Sequence, residues 1–172
     1  YGSDQFEPYG GAIHNSGVLT VTNSLFAYNS SRGEGGAIYN VGDLNLFNVT
    51  LFNNFARDGG GGIWAGGQVS ATNSVFAENQ TVFGSPDCVG TINSQGYNLI
   101  HDLTDCEWIG ATGDITNIYP GILFASMKLS KYSPLRDAGN PKGCLDHHGE
   151  PITTDYYGRP RIGRCDIGAL EY

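Results

Sequence analysis

The sequence contains three consecutive copies of a 20-residue segment, and each copy starts 25 residues after the previous one. The copies begin at Gly10, Gly35 and Gly60, and they align without a gap. Six positions are identical in all three copies. These positions are Gly10/Gly35/Gly60, Gly11/Gly36/Gly61, Ile13/Ile38/Ile63, Gly17/Gly42/Gly67, Asn23/Asn48/Asn73 and Asn29/Asn54/Asn79. An ungapped repeat of this length is typical of a solenoid in which each copy forms one turn.

The residue pattern within each copy favours β-strands over helices. Three equivalent stretches, at residues 19–21, 44–46 and 69–71, alternate with period two, and Gly, Asn and Thr are frequent. A turn of this length accommodates about three short strands and three bends, so the sequence predicts an all-β parallel β-helix. Its coils would stack at roughly 4.8 Å, and residues 25 apart would lie one above the other.

This stacking assigns structural roles to the repeated positions. The predicted interior rows are Ile13/Ile38/Ile63, Leu19/Leu44/Val69 and Phe26/Leu51/Phe76. We predict an inward asparagine ladder at one bend, in which each buried side-chain amide bonds the next; its members are Asn23, Asn48, Asn73 and Asn98. Asn98 would belong to a less regular fourth coil in which Ser94 and Gly96 also point inward. Asn29, Asn54 and Asn79 would mark a second bend, because Asn accepts left-handed backbone angles.

The chain divides once, into β-helix coils over residues 1–100 and an irregular tail over residues 101–172 that contains five prolines. The end of a solenoid exposes an unpaired strand edge. We therefore predict that the tail caps the C-terminal end of the coils and forms one structural unit with them.

All four cysteines lie outside the three repeats, and three pairings are possible. We favour Cys88–Cys106 and Cys144–Cys165, because each bridge closes a local loop. A zinc site that includes His147 and His148 is the alternative.

Composition excludes several functional classes. The net charge is −8 and no basic patch is present, which argues against nucleic acid as a partner. No apolar run approaches the roughly 18 residues of a membrane helix. An even number of cysteines and few lysines indicate an oxidising compartment, so we predict an extracellular or cell-surface location. The sequence starts at Tyr1 rather than Met, which predicts a processed product or a fragment.

The acidic residues do not form a recognisable catalytic pattern. Lyases and hydrolases on a β-helix need clustered carboxylates to bind calcium or transfer protons. In the repeat region no two acidic residues are 25 apart. We predict no catalytic residue, metal or cofactor, and we interpret the "DHHGE" stretch at residues 146–150 as a surface loop. Asp137 and Asp166 are expected to bond backbone groups at turns.

One repeated position suggests binding. His14, Tyr39 and Trp64 follow the inward isoleucine of each copy, so they should point outward and stack as a row. Exposed aromatic rows suit sugar rings or a protein partner. The alternative is that the rings only steady the coils.

Two stretches resemble known families. "GGAI" at 10 and 35, with "FAYN", "LFNN" and "FAEN" at 26, 51 and 76, resembles the paired GGA[ILV] and FxxN motifs of the polymorphic outer-membrane protein repeat. "LFNN", and "GGGI" at 60, each depart from the motif at one position. The resemblance covers residues 10–79 and implies a bacterial surface β-helix, several of which are adhesins.

The tail contains "INSQGYNLI", "SPLRDAGNPKGC" and "TTDYYGRPRIGRCDIGALEY". These segments are similar to the closing section of choice-of-anchor Q proteins, over roughly residues 85–172. That resemblance implies a secreted protein with a right-handed parallel β-helix. Arg136 departs from the pattern, because an apolar residue is expected there.

Together these features predict a secreted, non-enzymatic structural protein of a bacterial or archaeal surface, either adhesin-like or the subunit of an extracellular filament. The first 127 residues lack Lys, which commonly protects strand edges, so we expect end-to-end self-association. The tail of the next subunit would cover the open first coil in a heterologous contact. A glycan-binding or polysaccharide-cleaving protein is the alternative, and glycans or a cell-surface protein are possible partners.

Overall fold

The computed structural model describes residues 9–84 and 86–172, which form an all-β parallel solenoid without a helix. Each of the first three coils contains four strands. The first coil has β1 (Ile13–Asn15), β2 (Val18–Thr22), β3 (Leu25–Ala27) and β4 (Ser30–Ser31). The second has β5 (Ile38–Asn40), β6 (Asp43–Phe47), β7 (Thr50–Phe52) and β8 (Phe55–Ala56). The third has β9 (Ile63–Ala65), β10 (Gln68–Thr72), β11 (Val75–Ala77) and β12 (Gln80–Thr81).

Equivalent strands of successive coils pair in parallel with a register of 25 residues. Ile13 lies beside Ile38, and Ile38 beside Ile63. The same register holds where Leu19 lies beside Leu44, and in the other sheets of these coils. The predicted fold and its repeat length are therefore confirmed. A slip by one residue would turn every interior side chain outward, which is why the apolar pattern fixes the register.

Parallel pairing continues past the boundary at residue 100 that the sequence predicts. The fourth coil contains β13 (Cys88–Gly96) and β14 (Leu99–Ile100), and β15 (Cys106–Ile109) and β16 (Ile115–Thr116) stack on those two strands. The solenoid therefore extends to Thr116. The tail then adds only a short antiparallel hairpin of β17 (Ile122–Leu123) and β18 (Lys128–Leu129).

The interior is filled by the predicted apolar rows. The Ile38, Leu44 and Leu51 side chains are essentially fully buried. Burying a side chain of this size stabilises the fold by about 1.5–3 kcal/mol. Partly buried apolar side chains mark the two ends of this core: Ile13, Leu19 and Phe26 at one end, and Leu103, Cys106 and Trp108 at the other.

A disulfide and a tryptophan close the C-terminal end of the core. Cys88 lies beside Ile63 in the interior row and is bonded to Cys106. The Trp108 ring packs edge-on against Phe76, with ring centroids 5.7 Å apart, and its indole N–H donates to Asp114. Cys106, Trp108 and Asp114 belong to the last turn of the solenoid, residues 101–116, and not to the tail that follows it.

The tail packs along the side of the solenoid, against apolar side chains of its successive coils. Several strands carry apolar side chains on both faces, and the outward ones, including Phe52, Val75 and Leu99, are fully buried. The tail residues Leu135 and Ile167 belong to the same apolar cluster. Strands that are apolar on both faces need a cover on each. The tail supplies the second cover.

The tail is fastened to the solenoid by polar contacts. The backbone N–H of Gly168 donates to the Asn73 carbonyl at 2.9 Å, and that of Ala169 donates to the Thr50 hydroxyl at 3.0 Å. Arg136 stands where the sequence comparison expects an apolar residue, and its guanidinium packs over the Tyr172 ring at 3.4 Å. The tail therefore accommodates the cation against an aromatic face instead of the core.

Candidate binding surfaces and the asparagine rows

The two asparagine rows have roles opposite to those predicted. Asn29, Asn54 and Asn79 form the continuous ladder: the Asn29 side-chain amide donates to Asn54 Oδ1 at 2.9 Å, and Asn54 donates likewise to Asn79. The backbone N–H of each donor residue bonds the same oxygen. Asn54 and Asn79 are almost completely buried. Left-handed angles fall one residue earlier, at Tyr28, Asn53 and Glu78.

Asn23, Asn48 and Asn73 occupy the left-handed bend instead, with φ between 47° and 54°. Only one bond links this row, from the Asn73 amide to Asn48 Oδ1 at 2.8 Å. The row mainly serves the tail: Asn23 donates to the Thr154 carbonyl, and Asn48 to the Leu145 carbonyl. The predicted ladder is therefore present only between Asn73 and Asn48, and the side chains of this row also turn toward the covering tail.

Asn98 does not continue the row of Asn73. Along β13 the offset from the third coil changes from 25 residues at Gly90 to 23 at Asn93 and 24 at Gly96, so Asn98 accepts a bond from the Ser74 backbone N–H. The prediction for Asn98 fails because it assumes an uninterrupted 25-residue spacing. Ser94 is buried, as expected, and accepts a bond from the Asn98 amide at 2.8 Å. Gly96 is also buried, and its backbone N–H donates to the Ser94 hydroxyl.

A buried carboxylate ends the asparagine ladder. Asp87 Oδ1 accepts bonds from the backbone N–H and the side-chain amide of Asn79, and Oδ2 accepts from the Asp102 N–H. A carboxylate can only accept, so the chain of amide donors stops there. Burial raises the pKa of Asp87 to about 6, although the bonds from Asn79 and Asp102 favour the charged form. Sequence reasoning missed this residue because it lies eight positions after Asn79, outside the repeat spacing.

Because the buried Asp87 carboxylate ends the asparagine ladder, we expect the stability of the fold to depend on pH. The pKa of Asp87 is about 6 in the folded chain and 3.8 as the reference for the unfolded chain, so the folded state binds the proton more tightly. The resulting stabilisation is complete below about pH 4 and is lost as the pH rises through about 6. We expect the free energy of unfolding in urea to fall by about 2 kcal/mol between those limits.

An Asp87→Asn variant provides the matched control, since it keeps the oxygen that Asn79 bonds and removes the ionisation. Burial also raises the pKa of Glu34, Asp166 and Glu171, so a smaller dependence of the same sign should persist in the variant. An identical pH profile for both proteins would contradict the assignment to Asp87.

The aromatic row stacks as predicted. The Tyr39 and Trp64 rings are stacked and nearly parallel, with ring centroids 4.6 Å apart and an interplanar angle of 9°. Tyr9 stacks on the other face of this pair, 4.7 Å from Tyr39, while His14 meets Tyr39 edge-on. The faces of the Tyr39 ring are therefore occupied by neighbouring rings. A sugar could reach its edge but could not stack on it.

The Glu34 carboxylate lies beside this row, and the Asp58 carboxylate lies near Glu34. Burial raises the pKa of Glu34, repulsion from Asp58 raises it further, and a hydrogen bond from Trp64 lowers it. The pKa of Tyr39 is raised by burial and by the charge of Glu34. The aromatic row is therefore a surface of rings that stack on one another, with the Glu34 carboxylate beside them.

A cavity with a volume of about 360 Å³ lies on the outer face of β6 and β10. It is a shallow depression in which the Ser70 hydroxyl donates to Asn45 Oδ1 at 2.7 Å. Asp43 is the one carboxylate that lines it. Glycoside hydrolysis generally needs a pair of carboxyl groups. This depression does not supply that pair.

The cysteines pair as favoured from the sequence, Cys88 with Cys106 and Cys144 with Cys165. Within residues 9–84 and 86–172, no group of three or more His, Cys, Asp and Glu side chains could hold a metal ion. In the "DHHGE" loop, Asp146 accepts bonds from the backbone N–H groups of Glu150 and His148, which lower its pKa. Asp166 likewise accepts backbone bonds, from Asp137 and Tyr172.

Comparison with known proteins yields one short match. Residues 23–41 match the model of the Chlamydia polymorphic membrane protein repeat. No curated protein and no solved structure matches the chain. In the part of the chain that the structure describes, no helix is long and apolar enough to cross a membrane. The repeat match and the two disulfides indicate an extracellular or surface-associated protein with a β-solenoid architecture.

Proposed function

We propose that this chain is a secreted, non-enzymatic structural element of a bacterial or archaeal cell surface, in which the solenoid acts as a rigid spacer. It would serve an adhesin-like protein or an extracellular filament. The observation that carries the proposal is the continuous ladder of stacked coils, in which backbone pairing, buried asparagine amides and an apolar core all repeat in one register. Backbone pairing, side-chain hydrogen bonds and core packing therefore all hold successive coils in the same stack.

Three further features support rigidity outside the cell. One disulfide closes the core at Cys88–Cys106, and the other holds the tail together at Cys144–Cys165. Such bonds persist in oxidising surroundings. The tail braces one whole side of the solenoid. Its similarity to the closing section of choice-of-anchor Q proteins supports export to the surface.

Polysaccharide binding, the second candidate, has weaker support. The acid-flanked row of Tyr39 and Trp64 favours it, because carboxylates and ring edges can bond sugar hydroxyls. However, sugars usually stack on an open ring face, and both faces of the Tyr39 ring are covered by the neighbouring Tyr9 and Trp64 rings. The row therefore supports coil stacking better than glycan binding.

Labelling of intact cells tests the surface location. Lys128, Lys131 and Lys142 are exposed on the tail, so a membrane-impermeant amine reagent should modify them without lysis. We expect the same extent of labelling before and after cell disruption, with a cytoplasmic protein as the unlabelled control. Labelling that requires lysis would contradict the proposal, and so would release of reducing ends when the purified chain is incubated with polysaccharides.

A further inference from the structure

We propose that the outer face of β6 and β10 binds a neutral oligosaccharide without cleaving it. Such a site would give the adhesin-like protein proposed above its recognition surface, so this inference rests on that proposed function. The site is separate from the aromatic row of Tyr39 and Trp64, which lies on β5 and β9.

The outer face of β6 and β10 is polar, unlike that of the strands that follow them. Its outward positions carry Asp43 and Asn45 on β6, and Gln68 and Ser70 on β10. The outward positions of β7 and β11 are instead apolar and are buried beneath the tail. The tail therefore covers one outer face of the coils, whereas Asp43 and Gln68 on the other face remain exposed.

The depression on this face extends across four coils. Its lining includes Val18 from the first coil, Asn45 from the second, Ser70 from the third and Asn93 from the fourth. Asn45 lies beside Ser70, and Ser70 beside Asn93. All three side chains are only partly exposed, so they form a floor rather than a raised surface. The volume of about 360 Å³ falls within the range of about 300–1,000 Å³ that is usual for ligand sites.

Hydrogen bonds hold this floor in place and still leave groups for a ligand. The Ser70 hydroxyl donates to Asn45 Oδ1 at 2.7 Å, and the Asn93 side-chain amide donates to the Val69 carbonyl at 3.4 Å. Among the described residues, nothing accepts a bond from the Asn45 amide, and nothing donates to Asn93 Oδ1 or to the Ser70 oxygen. A donor beside two acceptors matches sugar hydroxyl groups, because each hydroxyl both donates and accepts.

The charges on this face favour a neutral sugar. Among the described residues that line the depression, Asp43 is the one carboxylate and none is Lys or Arg. A carboxylate accepts bonds from sugar hydroxyls but repels the acidic groups of an anionic polysaccharide. One carboxylate is also too few for the pair that glycoside hydrolysis generally needs, so the sugar is bound and not cleaved.

An aromatic side chain lies further along the same face. Phe47 points outward from β6 and, with Thr72, lines a second cavity of about 140 Å³ whose other wall is the tail loop at residues 140–149. Phe47 is partly exposed, and the His147 ring lies 6.4 Å from its ring. Asn45 and Phe47 are two residues apart, or about 7 Å along the strand. A second ring of a sugar chain bound at Asn45 therefore reaches Phe47, whose apolar surface suits the C–H groups of a sugar.

Electrophoresis through native gels that contain a polysaccharide tests the site. The purified chain is run in separate gels with a neutral glucan, mannan or galactan, and with polygalacturonate as the acidic comparison. We expect at least one neutral polysaccharide to retard the chain and polygalacturonate to leave its migration unchanged. Calorimetric titration with oligosaccharides of the retarding polysaccharide then measures the Kd of each variant.

Three variants identify the surface that binds. Asn45→Ala should weaken binding about fivefold, because it removes the free amide and the acceptor of the Ser70 bond. Ser70→Phe should abolish measurable binding, because the added ring fills the depression. Gln80→Ala is the matched control: it removes an exposed amide on β12, outside the depression, and should leave the Kd unchanged. Thermal unfolding shows whether each variant keeps the fold of the parent.

Four results would overturn the inference. Two are free migration in every neutral gel and retardation by polygalacturonate alone. Retardation that persists in both Asn45→Ala and Ser70→Phe would place the sugar elsewhere on the chain. Attachment to target cells that survives removal of their surface glycans, but is lost with Ser70→Phe, would assign this face to a protein partner. Surface labelling of the producing cells does not depend on any of these results, so failure of this inference is distinguishable from failure of the proposed function.

Discussion

Gly42→Ala will destabilise the solenoid strongly, whereas Gly17→Ala will leave its stability unchanged. The added methyl group at Gly42 would lie 2.1 Å from the carbonyl oxygen of Gly17 and 2.7 Å from its nitrogen. Both atoms belong to the backbone, so the clash cannot be relieved by rotating a side chain. The coils would have to separate, which would weaken the hydrogen bond between the Asp43 N–H and the Gly17 carbonyl.

The expected loss at Gly42 is about 3 kcal/mol or more, at the upper end of the range for overpacking. The expected change at Gly17 is within about 0.5 kcal/mol. Thermal unfolding followed by circular dichroism measures both, in high salt and at low protein concentration so that association does not contribute. Neither glycine has a positive φ, so the comparison isolates steric contact from backbone strain. Equal losses at the two positions would contradict this explanation of the repeated glycine.

The repeat made the solenoid predictable because identical residues at a fixed spacing can bury their apolar rows in only one register. The period shows which residues stack, but it does not show where each side chain points. Asn23 and Asn29 both recur every 25 residues, so the period does not distinguish a residue at a left-handed bend from one in the side-chain ladder. The structure places Asn23 at the bend and Asn29 in the ladder. The left-handed residues Tyr28 and Glu78 are not types that ordinarily indicate such a bend.

The placement of the tail could not be read from a period, because the tail has none. A signal did exist in the coils: Phe52, Val75 and Ala77 occupy outward positions, yet they are apolar. A strand with two apolar faces predicts a covering layer. The closure of the core was also visible in principle, since Cys88 lies 25 residues after Ile63 and so falls in an interior row. The change of register along β13 cannot be predicted from the repeat pattern. The same is true of the Asp87 carboxylate that ends the asparagine ladder.

Arg161→Met will detach or destabilise the tail, with an expected loss of about 3–5 kcal/mol. The guanidinium of Arg161 and the carboxylate of Glu171 form an ion pair at 3.0 Å, and each side chain is only 6% exposed. Arg161 also donates to Asn23 Oδ1 at 3.0 Å and to the Gly168 carbonyl at 2.9 Å. It therefore connects the first coil to the C-terminal segment, and its removal leaves a buried carboxylate without its cation.

The pKa shifts show why the effect depends on breaking the pair. Burial lowers the pKa of Arg161. The pKa of Glu171 is raised, mainly by burial and further by repulsion from Asp166. For each group, the cost of leaving water therefore outweighs the attraction between the two charges. A pair of this kind contributes little net stability while intact, but a lone survivor is costly. Arg161→Met combined with Glu171→Gln should recover much of the loss, because Gln keeps an acceptor for the Ile162 N–H. Urea unfolding of the single and double variants measures this coupling.

Arg57→Ala supplies the matched control. Arg57 and Asp58 are 3.7 Å apart on the surface, with side chains 60% and 47% exposed, so their separation should change stability by less than about 0.5 kcal/mol. If Arg161→Met cost no more than Arg57→Ala, the tail would not depend on its buried ion pair. The attachment of the tail would then depend on the apolar contacts of Phe52, Leu135 and Ile167 and on the other hydrogen bonds between tail and coils.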